Sequence, residues 1–252
     1  MSSGQAIGHF VAKWQAREPD MALAEVFVAP ADRERFRAWG ALVHELREAA
    51  FELSDARVTA VKCQWWAEEL LGLAGGRSRH PLTGPLAVAD APWASLARAM
   101  ASLRDDEARP ADAAASLFQL LPLATALADT EAAVFGEPAS PDASRAIAVH
   151  LRLQRLPAGL SAADVAGVPL NLMARHGLDA GALAAGQGMP LLRDWARELA
   201  AALPPARGLP LFRRLRTGLD AARLARLAAG RGFDPPAAPA TVWRAWRLAR
   251  AR

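Results

Sequence analysis

Along most of the chain, apolar residues return at every third or fourth position, the spacing that lines one face of an α-helix. Alanine and leucine dominate, and runs of β-branched residues are nearly absent. Proline and glycine punctuate the pattern at "AREPD", "VAPAD", "GGRSRHPLTGP", "EARPAD", "FGEPASPD", "GQGMP", "ALPPARGLP" and "GFDPPAAP". Each such stretch reads as a helix stop or start. Between them the pattern predicts roughly nine to eleven helices, clearest over 31–54, 57–74, 111–135, 141–156, 189–203 and 209–228. No repeat of fixed period and no long polar linker interrupts them, so a single all-α domain spanning 1–252 is expected.

Within 31–54, Asp32 is placed to cap the helix after Pro30. Phe36, Trp39, Val43, Leu46, Ala50 and Leu53 step by three and four into one apolar stripe. Glu45, Glu48 and Glu52 form an acidic ridge on another face. Glu48 and Glu52 have the four-residue spacing of a carboxylate pair that can share a metal. The pair points away from the stripe, which predicts solvated acids rather than ligands.

The stretch "RVTAVKCQWWAEEL" divides differently. Arg57, Gln64 and Glu68 occupy a narrow polar arc, and Val58, Val61, Cys63, Trp65, Trp66, Leu70 and Leu73 fill the wide remainder. Lys62 and Glu69 nearly superimpose inside that apolar remainder, between the two tryptophans. A charge there must be paired, hydrated in a cavity, or able to reach outward. Two helical turns separate the pair by about 10.5 Å, too far for direct contact. Either they belong to a structural network with another helix or they line a pocket.

Composition narrows the class. Hydrophobic residues make up 52% and charged residues 22%, the balance of a globular chain rather than a disordered one. No run of about 18 apolar residues predicts a membrane-spanning helix. The first twenty residues lack the basic start and apolar core of a secretory signal. One cysteine builds no disulfide framework, which fits a cytoplasmic location, and Cys63 reads as a small buried hydrophobe.

The net charge of +4 owes much to arginines in "LFRRLRTGLDAARLARLAAGRG" and "VWRAWRLARAR". As helices these have an apolar stripe and a basic face: either a solvated face, or a peripheral contact with the inner membrane. No nucleic-acid-binding motif accompanies the charge, so nucleic acid is not an expected partner.

The order of several motifs is similar to the squalene/phytoene synthase family. They are Ala29-Pro30 with Arg33, the helix after Phe36, Lys62 before Gln64-Trp65-Trp66, and His80-Pro81-Leu82. Weaker echoes follow in "AIAVHLRLQRLPAGL", "VPLNLMARHGL" and "VWRAWRLARAR". The resemblance is specific over 21–86 and diffuse elsewhere. It implies an isoprenoid-synthase-like helical bundle around a central cavity. Active members of the family condense two prenyl diphosphates head to head, using Mg²⁺ held by two aspartate-rich motifs on facing helices.

This chain departs from that pattern at both motifs. In register, the first motif's metal aspartates fall at Ala50 and Ser54. In the second, Arg155 stands for the arginine, but Arg152, Leu156 and Leu160 replace the asparagine and both aspartates. No cofactor, metal site or catalytic residue is therefore expected, and the family's non-catalytic branches become the nearer comparison. One of these is a mitochondrial assembly factor for respiratory complex I, whose texture "HEL…VKCQWW" resembles. The resemblance implies an isoprenoid or anionic-lipid ligand, or a protein partner, with Lys62, Glu69, Arg152 and Arg155 as the candidate ligand-binding residues. The alternative is an active prenyl transferase with relocated acids drawn from Glu48, Glu52 or Asp55.

No substitute chemistry stands out. There is no phosphate-binding glycine loop, Cys-x-x-Cys pair or nucleophile elbow. His9, His44, His80, His150 and His176 lack ligand spacing and read as packed or surface residues. Asp105, Asp106 and Glu107 read as a helix end or loop, and Gly75-Gly76 as a helix C-cap.

Overall fold

The computed structural model describes residues 3–53, 55–88, 90–103, 109–156 and 167–251. Ser54, Asp105, Asp106, Glu107 and Leu160, used in the sequence reading, lie outside them. The described residues form thirteen α-helices and no strand. In chain order these are α1 (Ser3–Arg17), α2 (Pro19–Ala24), α3 (Arg33–Phe51), α4 (Ala56–Ala74), α5 (Trp93–Ala101), α6 (Ala113–Phe118) and α7 (Leu121–Phe135). They continue as α8 (Pro141–Arg155), α9 (Leu170–His176), α10 (Ala180–Ala184), α11 (Met189–Ala202), α12 (Leu211–Ala228) and α13 (Ala238–Arg250).

The helix expected over 111–135 is two helices. Pro122 has no N–H to offer the Phe118 carbonyl, so the ladder breaks at Gln119–Leu120 and restarts with proline in the first turn of α7. The start of α3 also differs. Residues Pro30–Asp32 form a 3₁₀ turn, and Asp32 occupies the N-cap position without making a side-chain capping bond. By contrast, Asp55 caps α4, accepting from the Arg57 and Val58 amides at 2.8 and 3.3 Å. Gly75 ends that helix and Gly76 turns the chain with φ +74°, as the sequence predicts.

Two apolar clusters build the core. The larger draws on α1, α3, α4, α5 and α7, and the smaller centres on Leu172, Leu191 and Trp195 from α9 and α11. Helices α8 and α12 contribute to both, so the clusters share one bundle. Cys63 is buried in the larger cluster. At Gly40 the backbone of α3 lies directly under the Trp14 indole; a Cβ there would stand 2.3 Å from the ring. The missing side chain is what lets α1 close on α3.

Helix α12 corrects the expectation of a basic surface. Arg213, Arg216, Asp220 and Arg223 step by three, four and three, so they lie on the inward stripe itself. All four are buried. Asp20, at the start of α2, accepts from Arg216 at 2.8 and 3.1 Å and from Arg223 at 3.0 Å twice. Glu18 accepts from Arg216 and Arg47 at 3.0 Å each. Asp220 lies 3.0 Å from Arg216 as an ion pair without hydrogen-bond alignment, and its other oxygen meets His150 Nδ1 at 3.0 Å. Further along, Glu131 joins Arg213 at 3.0 and 2.5 Å and Trp39 Nε1 at 2.7 Å. Carboxylates from α2 and α12 thus converge inside the fold, but what they enclose is guanidinium. Burial alone would raise the carboxyls of Glu18 and Asp20. The charges of His150, Arg216 and Arg47 around Glu18, and of Arg216 and Arg223 around Asp20, outweigh it and hold both well below the usual range.

Candidate functional site

Helices α3 and α4 pack side by side, and their outer edges frame a cleft of about 290 Å³. Glu45, Glu48 and Ala49 come from α3; Val61, Lys62, Trp65 and Trp66 come from α4; His80 closes the end. Much of the arc of α4 predicted to be buried stands in this opening. Val61 and Trp65 are 69% and 43% exposed, whereas Trp66 is buried.

Glu69 explains why His80 is there. Its side chain is fully buried and accepts from the amides of Arg79 and His80 at 2.9 and 2.7 Å. Thr83 Oγ1 at 3.0 Å and Arg79 Nε at 3.1 Å complete the set. Burial opposes its charge, but those two amides and the other donors overcome it and lower the carboxyl. The loop after α4 is thereby pinned to the helix, and His80 is presented to the tryptophans. Its ring centroid lies 4.9 Å from Trp66, 5.8 Å from Trp65 and 4.6 Å from Phe10 of α1. The Leu82 amide donates to His80 Nδ1 at 3.3 Å, so Nε2 carries the proton of the neutral ring. Burial pushes the imidazole below its ordinary pKa, partly opposed by Glu69.

The acidic ridge is partly withdrawn from solvent, not fully solvated as the helical wheel predicts. Glu45, Glu48 and Glu52 are part-buried where α3 packs against α1 and α4, and Glu45 and Glu48 still face the cleft. Lys13 of α1 places Nζ 2.9 Å from Glu45 and 2.6 Å from Glu48. Lys62 reaches Glu48 from the other side at 3.9 Å. Glu52 is engaged separately, by Arg47 at 2.9 Å and Arg17 at 3.5 Å.

His44, Glu45 and Glu48 bring one ligand atom each within 4.8 Å of one another, a spacing that invites comparison with a metal site. Two features oppose it. Arg47 donates to His44 Nδ1 at 2.9 Å, and since a guanidinium only donates, Nδ1 must be the acceptor and Nε2 the protonated nitrogen. Nε2, 3.8 Å from Glu48, therefore has no lone pair for a metal. The Lys13 ammonium also stands where a cation bridging the two carboxylates would sit. Burial, helped by the adjacent Arg47 charge, pushes the His44 pKa down to about 4.

Of the four residues singled out by sequence, two attend the cleft and two lie away from it. Lys62 lines the cleft with its side chain half exposed. Glu69 lies beneath the same cleft as the loop anchor. Arg152, on α8, is buried away from it and donates to the Ser116 carbonyl at 2.9 Å. Arg155 stacks over the Phe51 ring at 5.0 Å, at the far end of α3. Sequence reasoning missed Lys13 and His80 as members of the site. The "HPL" turn next to two tryptophans was the available signal for His80; Lys13 pairs across more than thirty residues and left no local one.

Compared with known proteins, the chain matches no family model and no curated protein sequence.

Proposed function

We propose that the protein is a non-catalytic binding protein on a squalene/phytoene synthase-like scaffold, holding part of an isoprenoid or similar lipid chain in the α3–α4 cleft. The observation that carries this reading is the pairing of an aromatic-walled cleft with an acidic pair already bridged by the Lys13 ammonium. Trp65, Trp66 and Val61 offer apolar surface, and the half-exposed Lys62 at the side can turn toward an anionic head group. At roughly 30 Å³ per water-sized group, the cleft holds on the order of ten heavy atoms, a segment of one chain rather than two whole prenyl substrates. The acids that a relocated active site would need are occupied: Glu48 by two lysines, Glu52 by two arginines, and Asp55 by the start of α4. We place the protein in the cytoplasm, with its C-terminal helix able to meet the inner membrane; no described helix is long and apolar enough to cross one.

Thermal-shift and tryptophan-fluorescence titrations with geraniol and farnesol, without metal, test the reading. Both alcohols should stabilise the wild type, and Trp65→Ala should remove the effect without altering the helical spectrum. Stabilisation by prenyl diphosphates only in the presence of Mg²⁺, or turnover of them, would overturn it in favour of an active transferase. No response to either alcohol would leave a protein partner as the occupant.

A further inference from the structure

Helix α13 carries a second surface, apart from the cleft. Its inner side is fixed by buried Thr241 and Ala245 and by Leu248, which packs over Gly218 of α12. Its outer side is apolar and cationic together. Trp243 is 59% exposed and stacks on Trp246 at 4.7 Å with an interplanar angle of 26°. Arg250 lies over the Trp246 ring at 5.0 Å. At about 100° per residue, Trp243, Arg247 and Arg250 fall within roughly 60° of one another, with Trp246 beside them.

Among the described residues, no acid pairs with the charges on this face. Residues 235–252, "PPAAPATVWRAWRLARAR", contain four arginines and no aspartate or glutamate. Among the described residues, Arg244, Arg247 and Arg250 make no salt bridge, unlike exposed Arg17, which pairs with Glu52, and Arg175, which pairs with Glu198. Indoles favour the boundary between water and hydrocarbon, and arginines can lie among phosphates while their stems stay in apolar surroundings. A 13-residue helix is too short to span a bilayer but well suited to lie along its surface.

We propose that the outer face of α13, built on Trp243, Trp246, Arg247 and Arg250, docks the protein on an anionic phospholipid surface. This names the partner for the membrane-side placement given above and is independent of what the cleft holds. The charge complementarity is specific in sign: beside its indoles the face carries cations. The phosphates of a zwitterionic lipid are already balanced by their own ammonium groups, so only an anionic surface supplies the net charge that attracts the face.

Co-sedimentation of the full chain with phosphatidylcholine vesicles, with and without phosphatidylglycerol, tests the assignment. The protein should bind the anionic vesicles and not the neutral ones. Raising NaCl from ~0.1 M to ~1 M should release it, because the Debye length falls from about 10 to about 3 Å. Each arginine near an anionic surface is worth about fivefold in affinity, so Arg247→Glu/Arg250→Glu should weaken binding by at least about tenfold. Trp243→Ala should weaken it by several-fold, and Trp65→Ala, in the cleft, should leave it unchanged. Equal binding to neutral vesicles, absence of binding, or indifference to the arginine reversal would overturn the assignment. Loss of binding in Trp65→Ala alone would move the lipid contact to the cleft. A dimer that Trp243→Ala converts to monomer would show that a second copy covers this face.

Discussion

The Lys13 ammonium lies 2.6 Å from the Glu48 carboxylate, on the side of α3 where a bound cation would otherwise balance the acids. Burial disfavours its charge, but Glu48 and Glu45 more than compensate and raise its pKa. The site thus contains its own counter-ion. Mg²⁺ or Mn²⁺ at millimolar concentration should leave the melting temperature of the wild type unchanged. Lys13→Ala frees two carboxylates and should gain a weak Mn²⁺-dependent stabilisation. A wild type that responds to the metal as strongly as the variant would show that Lys13 does not fill that position.

Asp20 holds two buried guanidinium groups at once, so its removal leaves more charge stranded than a surface pair would. Breaking one partner of a buried ion pair costs about 3–5 kcal/mol, because the survivor stays desolvated. Asp20→Asn keeps the shape and should lose stability in that range by urea denaturation. Arg175→Ala, which breaks the partly exposed pair with Glu198, should cost less than about 1 kcal/mol. Similar losses at the two sites would mean that the interior network contributes no more than a surface pair.

The helices were legible because proline and glycine bound them and because their apolar residues repeat at helical spacing. The break between α6 and α7 was hidden by that same spacing, which continues through Leu117, Leu120, Leu121 and Ala124; only Pro122 marked it. Helix α12 shows a different limit. Its arginines were read as a face because charge is usually solvated, yet the three-four-three spacing of Arg213, Arg216, Asp220 and Arg223 was the core stripe written in ions. Their partners, Glu18, Asp20 and Glu131, lie some 80 to 200 residues away in sequence. Periodicity says which side chains share a face, not what that face meets. Lys62 and Glu69 make the same point: one helix wheel placed them together, while the α3 packing and the loop after α4 gave them unrelated partners.

Acid should destabilise the protein in two stages. His44 titrates at about 4 in the fold against an ordinary 6.5, so its neutral form is the folded one. A depressed pKa adds stability that is complete above about pH 6.5 and is lost as the pH falls toward 4. The loss amounts to about 3 kcal/mol at the acid end. His80, also lowered by burial, adds to the same window. Glu18, Asp20 and Glu69 are lowered carboxyls, and their contribution disappears only below about pH 4. Urea midpoints measured from pH 7 to pH 3 should therefore fall first gently and then steeply. His44→Asn, which keeps an acceptor for Arg47, should flatten the upper stage and leave the lower one; an unchanged upper stage would remove His44 from the explanation.

Glu69→Gln tests the anchor under the cleft. The amide oxygen can still accept from the Arg79 and His80 backbones and from Thr83, but the side chain loses its charge and turns a donor toward the Arg79 guanidinium. Hydrogen bonds to a charged group are worth about 1.5–3 kcal/mol, so a loss of about 3 kcal/mol is expected. The cleft should suffer as well, since His80 is held against Trp65 and Trp66 by this loop. Farnesol binding should weaken in Glu69→Gln even at temperatures where the variant remains fully folded. Full stability, or undiminished binding, would show that the loop is held by its other contacts.

At Gly40 the usual sign of a helix substitution should reverse. Alanine is favoured over glycine in a helix interior by about 1 kcal/mol, so Gly→Ala is ordinarily stabilising. Here the new methyl would meet Trp14 Cζ2 at 2.3 Å and Cη2 at 2.4 Å. The indole is 1% exposed and packs among Phe36 and Phe212, at centroid distances of 6.2 and 6.5 Å, so it has no free rotamer to move into. Overpacking costs about 1–3 kcal/mol, more than the helix preference returns, and α1 must lift from α3 to relieve it. Gly40→Ala should lower the urea midpoint, and Trp14→Leu in the same background should recover part of the loss by making room. A Gly40→Ala protein more stable than the wild type would show that α1 does not seat on α3 in this way, and with it the placement of Lys13 beside Glu45 and Glu48 would fall.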